Sequence, residues 1–134
     1  MRAIFADTFY FLALLSPSDR AHGKAVAFTS TNTFCMVTTE WVVTELADGL
    51  ANTRHGRTEF LATLADLQAD AGVTIVSCDH ALMGEGVQFY AQRPDKEWSL
   101  TDCISFIVMQ KQDITEALTG DHHFEQAGFV ALLK

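Results

Sequence analysis

Two stretches late in the chain carry the residue types that hydrolytic chemistry needs. Ser99-Leu100-Thr101-Asp102-Cys103-Ile104-Ser105-Phe106 and Thr119-Gly120-Asp121-His122-His123-Phe124 each set one aspartate beside small hydroxyl or glycine residues, at the apparent start of a helix. Asp7 and Glu45, far upstream, are the acids expected to join them. Four carboxylates gathered in one pocket repel one another unless a cation sits among them. The expectation is therefore a Mg²⁺ (or Mn²⁺) site serving phosphodiester hydrolysis. Thr8, Ser99, Thr101 and Ser105 are the hydroxyls expected to hydrogen-bond those acids from behind.

Each acid also has an ordinary explanation. Asp7 and Asp121 stand where a helix N-cap belongs, and Ser99-x-x-Asp102 matches a capping box. Glu45 lies at the margin of an apolar stripe of Val42, Val43, Leu46, Ala47 and Leu50, with Gly49 leaving space one turn on. Glu40 and Asp48, each about one helical turn away, compete for its role. His122-His123 lacks the spacing of a zinc motif such as HExxH and reads as a solvent-facing pair. Cys103 has no evident histidine partner for thiol catalysis.

The elements that must position these residues alternate between short strands and helices. Residues 3–6 read as a buried strand that ends at Asp7-Thr8, and 9–15 as a short apolar helix stopped by Ser16-Pro17. A second helix is expected over 19–28 with Asp19 as its cap, then a polar stretch over 29–33 and a strand over 34–37. Thr38-Thr39 would cap a helix running from Glu40 to about Asn52. After a basic loop over 53–56, Phe60, Leu61, Leu64 and Leu67 mark a helix over 57–71, with Gly72 as its stop. A strand at 73–77 leads to a helix over 79–92, expected to be loosened near Gly84 and Gly86. Beyond the turn at 93–96 come a helix over 102–111, a strand at 114–118, a short helix at 122–127 closed by Gly128, and a strand at 129–133. This alternation predicts a three-layer α/β/α sandwich with a mostly parallel central sheet. In such folds ligands gather at the carboxyl ends of the strands, where the acids fall.

Composition sets the outer bounds. With 134 residues, 49% hydrophobic and 19% charged, the chain reads as one globular domain spanning 1–134. Cys35, Cys78 and Cys103 are scattered, which suits buried thiols in a reducing cytoplasm. Asp7 interrupts the early apolar run, so it reads as folded structure rather than a leader. No apolar run approaches the roughly 18 residues needed to span a bilayer, so the expectation is a soluble protein with no membrane contact. The net charge of −8 is unusual for a nucleic-acid partner. The acid cluster explains part of the excess, and the rest points to a small RNA contact or to a basic protein covering the site. Arg54 and Arg57, with His55, form the densest basic group, and Arg93 and Lys96 the second. Both groups are candidates for RNA phosphates, with solvated loop charges as the alternative. Trp41, Tyr90 and Trp98 would either stack bases or pack in a core.

Taken together, Phe5-Ala6-Asp7-Thr8, Thr38-Thr39-Glu40-Trp41 through Glu45-Leu46-Ala47-Asp48, Ser99-Leu100-Thr101-Asp102 and Thr119-Gly120-Asp121-His122-His123-Phe124 resemble the PIN domain over nearly the whole chain. The likeness is greatest to the VapC type, the ribonuclease toxins of toxin–antitoxin pairs. That resemblance implies Mg²⁺- or Mn²⁺-dependent RNA cleavage, with acidic ligands matching Asp7, Glu45, Asp102 and Asp121. It also implies polar positions near the metals at Thr8 and Thr101, a cognate antitoxin protein as partner, and a homodimer. A non-catalytic PIN-fold binding module and a housekeeping RNA-processing nuclease are the alternatives. Asp7-Thr8-Phe9 lacks the Asp-x-Asp of haloacid-dehalogenase-like phosphatases, the lysines are poorly placed for a phospho-receiver domain, and no GxxxxGK[ST] loop is present.

Overall fold

The computed structural model describes residues 1–134. Five strands, β1 (Ala3–Ala6), β2 (Cys35–Thr39), β3 (Val73–Val76), β4 (Glu116–Leu118) and β5 (Val130–Ala131), form one sheet in the order β3-β2-β1-β4-β5. Every pairing is parallel, so the expected mostly parallel sheet is wholly so. Seven helices connect the strands: α1 (Thr8–Leu15), α2 (His22–Thr31), α3 (Glu40–Gly49), α4 (Arg54–Ala69), α5 (His80–Gln92), α6 (Leu100–Lys111) and α7 (His122–Gln126).

The strand order dictates the layers. From β1 the chain steps outward to β2 and β3, then returns across the sheet to β4 and β5. Right-handed crossovers then put α1 to α4 on one face and α5 to α7 on the other. The packing agrees: α1 meets α2 and α3, and α3 meets α4, while α6 meets α5 and α7. The order reverses between β1 and β4, which makes the carboxyl ends of those two strands the switch point.

The core lies under this point. Ile4, Phe5 and Ala6 of β1 are fully enclosed, and Cys103 through Met109 of α6 are buried without interruption. Phe106 packs edge-on against both Phe124 and Trp98. Burying each such ring contributes on the order of 2–3 kcal/mol, so α6 and α7 are held firmly beneath the residues they present.

Several boundaries differ from expectation for visible reasons. The Asp19 carboxylate takes the Ala21 N–H in a local turn, so α2 starts at His22. That helix runs on to Thr31, where Thr29, Ser30 and Thr31 are accommodated with their hydroxyls turned onto carbonyls one turn back. The basic stretch at 53–56 is not a loop: Thr53 caps α4 by accepting the Gly56 N–H. Gly56 is needed there because a Cβ would stand 2.5 Å from the Leu50 carbonyl oxygen. Helix α4 ends at Ala69, and Asp70, accepting the Gly72 N–H, makes the turn that Gly72 was expected to make. Helix α5 is continuous through Gly84 and Gly86. Gly86 instead permits close packing, since a Cβ there would fall 2.4 Å from Cγ1 of Ile104 on α6. Of the cysteines, Cys103 is buried and Cys35 partly so, but Cys78 is exposed.

Candidate active site

Asp7 follows β1 at the switch point and occupies the N-cap position of α1, yet its side chain caps nothing. It accepts instead from the Thr119 hydroxyl at 2.9 Å, beyond the end of β4. Asp7 is only 6% exposed. Burial is the main cause that lifts its pKa to about 7, the Thr119 hydrogen bond lowers it in part, and the charges of Asp102 and Glu45 raise it further.

Glu45 comes from α3, the neighbour of α1. Its Oε1 accepts from the Thr8 hydroxyl. Its pKa is raised, first by desolvation, against the lowering effect of Thr8, and then by the charges of Asp102, Asp121 and Asp48. Its rival Glu40 is occupied elsewhere, accepting the Cys78 N–H at 2.6 Å.

Asp102 approaches from the opposite layer. The capping box is present: the Asp102 N–H donates to Ser99 Oγ, and the Ser99 N–H donates to Asp102 Oδ2. The box fixes the carboxylate without removing it from the cluster. Its pKa is raised by desolvation, lowered by the Ser99 backbone N–H, raised by the charge of Asp121, and lowered by His123. Asp121 caps α7 through the His123 N–H, and its own N–H donates to Thr119 Oγ1. Capping and clustering are thus compatible for Asp102 and Asp121.

The expected supporting hydroxyls divide. The Thr8 hydroxyl donates to Glu45, whereas the Ser99 hydroxyl accepts from the Asp102 backbone N–H and only the Ser99 backbone N–H reaches the Asp102 carboxylate. Ser105 does not reach the acids: it donates to the Thr101 carbonyl at 2.9 Å, and the Thr101 hydroxyl bonds no carboxylate either. Two contributors were not anticipated. Thr119, fully buried, joins Asp7 to Asp121. His123 is not solvent-facing, since its Nδ1 lies 3.2 Å from Asp102 Oδ2 and 3.4 Å from Asp121 Oδ1. The signal for both was local: each lies two residues from Asp121.

Of the basic candidates, Arg93 is committed twice. It pairs with both oxygens of Asp95 and stacks over Trp98 at 4.9 Å. Lys96 makes no ion pair and shares a wholly polar depression with Asp95, Glu97, His122, His123 and Gln126. Arg54 and Arg57 sit exposed on the first turn of α4. Trp98 is core, while Tyr90 is 53% exposed.

No lysine or arginine pairs with any of the four acids. The lysine and arginine ion pairs all involve other carboxylates: Glu116, Asp95, Glu85 and Glu125. The pKa values of Asp7, Glu45 and Asp102 are each pushed up, first by desolvation and then by neighbouring acids, and no lysine or arginine offsets them. Hard oxygen donors in this setting fit a divalent cation.

An all-parallel sandwich with acids gathered over its switch point defines the arrangement expected of a PIN-type nuclease. No protein-family model matches the chain. The 23S rRNA-specific endonuclease VapC20 of Mycobacterium tuberculosis, from two strains, is 30% identical over 130 residues, covering 95% of both chains. The crystal structure of M. tuberculosis VapC20, described as a sarcin-ricin loop cleaving toxin, superposes with a TM-score of 0.85 at 28% identity, over 95% of this chain and 96% of that one. FitAcB from Neisseria gonorrhoeae gives a TM-score of 0.70 at 22% identity, over 96% and 94%, and shares the fold. The chain belongs to the VapC type of PIN-domain ribonuclease toxins.

Proposed function

We propose that the protein is a Mg²⁺- or Mn²⁺-dependent ribonuclease toxin whose Asp7, Glu45, Asp102 and Asp121 hold the ion. The observation that carries this reading is the four mutually repelling acids at the switch point without a lysine or arginine among them. When bound, a divalent ion lowers the pKa of water and offsets charge on a leaving oxygen. The chain's own contribution is orientation. Thr119 aims Asp7, Thr8 aims Glu45, and the Ser99 box aims Asp102. Asp7 and Glu45 come from one side of the sheet and Asp102 and Asp121 from the other, so a phosphodiester entering between the layers meets acids on both flanks. By the family resemblance, hydrolysis leaves a 5′-phosphate and a 3′-hydroxyl. Lys96, Arg54 and Arg57 supply positive charge for the flanking phosphates.

A structured segment of ribosomal RNA is the first substrate to test, because the 30% identical relative is a 23S rRNA-specific endonuclease. A cognate antitoxin would silence the enzyme by covering the acids with basic side chains, an attraction favoured by the net charge of −8. The toxin would act in the cytoplasm, where ribosomal RNA is found; no helix is long and apolar enough to cross a membrane. Homodimerisation is supported by apolar surface on α4, where Leu61 is 64% exposed.

The test is cleavage of a ribosomal RNA fragment in Mg²⁺, Mn²⁺ or EDTA, alongside an Asp7→Asn, Asp102→Asn double variant. Cleavage should need metal and should fall at least about a hundredfold in the variant. Equal cleavage by both proteins would remove the acids from the chemistry.

A further inference from the structure

One side chain that touches two of the acids carries a nitrogen donor. His123 projects its Nδ1 to 3.2 Å from Asp102 Oδ2 and 3.4 Å from Asp121 Oδ1, joining donors from α6 and from the cap of α7. Its neighbours fix it in place. The backbone N–H of His123 is held by Asp121, and the next residue, Phe124, is fully buried against Phe106. His122 is a poor substitute: its side chain is 63% exposed, against 18% for His123, and it approaches only Asp121.

Neighbouring ligands on an octahedral ion with bonds of about 2.1 Å stand about 3 Å apart. Nδ1 already stands close to that spacing from each of the two carboxylate oxygens. The ligand atoms of Asp121, His122 and His123 also lie within 4.8 Å of one another. Without an ion, Nδ1 is hydrogen-bonded to Asp102 Oδ2. In the neutral tautomer with its proton on Nε2, Nδ1 presents a lone pair to an ion instead. Imidazole is a favoured donor for transition metals, whereas Mg²⁺ favours oxygen.

We propose that His123 supplies a nitrogen ligand to the ion that Asp102 and Asp121 hold, giving this site a preference for Mn²⁺ over Mg²⁺. This inference rests on the metal-site reading above and deepens it. A site built from carboxylates and water alone would discriminate less between the two ions. With the imidazole included, His123 is as much part of the metal-binding machinery as the acids are.

The test is pulsed electron paramagnetic resonance on Mn²⁺-loaded wild-type protein, with titration calorimetry of Mn²⁺ and Mg²⁺ alongside. Nitrogen modulation is expected from the bound ion, and it should change to the ¹⁵N pattern when only histidine is ¹⁵N-labelled. It should vanish in His123→Gln and persist in His122→Gln. In calorimetry, His123→Gln should weaken Mn²⁺ binding about tenfold or more and affect Mg²⁺ less, narrowing the preference. Mn²⁺ bound by wild type without nitrogen modulation would overturn the inference, and so would an unchanged Mn²⁺-to-Mg²⁺ ratio in His123→Gln. The labelled wild-type spectrum holds this test open even if the variant folds poorly. No Mn²⁺ binding by wild type, or equal binding by Asp102→Asn, would instead overturn the metal site itself, a separate result.

Discussion

The Thr119 hydroxyl donates to the Asp7 carboxylate at 2.9 Å, joining two buried residues 112 positions apart in sequence. The same oxygen accepts the Asp121 N–H at 3.1 Å. One side chain therefore spans the switch point and fixes two of the four acids relative to each other. Its position, one residue beyond β4, follows from the strand order, because β4 pairs directly with β1 and brings its carboxyl end beside Asp7.

Replacing Thr119 with valine keeps the shape and removes the donor. At pH 8 the variant should lose roughly 1–3 kcal/mol, the cost of leaving a buried polar group unpaired. Its metal affinity should fall about 10- to 100-fold, while Thr119→Ser stays near wild type. Urea denaturation and Mn²⁺ calorimetry read the two effects. Wild-type behaviour of the valine variant in both would show that Asp7 is oriented by something else.

Stability of the metal-free protein should depend on pH in a particular direction. Asp7 ionises near 3.8 in an unfolded chain but holds its proton up to about 7 in the fold. Between those values the native state binds more protons, so stability is greatest near the lower value and falls as pH rises through the window. The gap sets an upper limit of about 4 kcal/mol on the loss. Glu45 and Asp102, also raised, act in the same direction. Denaturation at pH 5 and pH 8 should show the decline, and Asp7→Asn should flatten it. A wild-type protein equally stable at both values would count against buried repulsion.

The sequence showed the acids but not all that holds them. Asp7, Glu45, Asp102 and Asp121 are separated by elements whose apolar patterns are clear, so a parallel sandwich and its ligand edge could be anticipated. The direction of a side chain is another matter. Asp7 looks like a cap in one dimension, and only the pairing of β4 with β1 reveals Thr119 as its partner. The His122-His123 pair reads as solvent-facing because it lacks the spacing of a zinc motif. Helix α7 in fact turns one ring inward and leaves the other out. Gly86 does not loosen α5, because its use lies in Ile104, eighteen residues away and on another helix.

Gly120 lies between the two residues that organise this edge. A Cβ there would come within 2.5 Å of Cζ at the tip of the Phe9 ring. The ring is rigid and sits on α1 beside Thr8, so either α1 or the Thr119–Asp121 segment must shift. Gly120→Ala should lower stability by about 1–3 kcal/mol and reduce cleavage by more than its folded fraction accounts for. Adding Phe9→Leu should restore part of both. Full activity in the single variant would show that the edge has slack.

Lys96 and Arg93, three residues apart, should respond differently to truncation. Lys96 makes no ion pair, although Asp95 and Glu97 line the same depression as it and His123, so its ammonium can turn to a phosphate beside the acids. Arg93 is held by Asp95, which pushes the Asp95 carboxyl down to about 2, and lies over the Trp98 ring. Lys96→Ala, in a catalytically silent Asp7→Asn background, should weaken RNA binding and reduce the salt dependence by about one charge. Arg93→Ala should leave that slope nearly intact and lower the melting temperature instead, because its stem and guanidinium cover Trp98. Binding isotherms at several salt concentrations separate the two. A larger change in slope for Arg93 than for Lys96 would move the RNA path away from the His123 side of the acids.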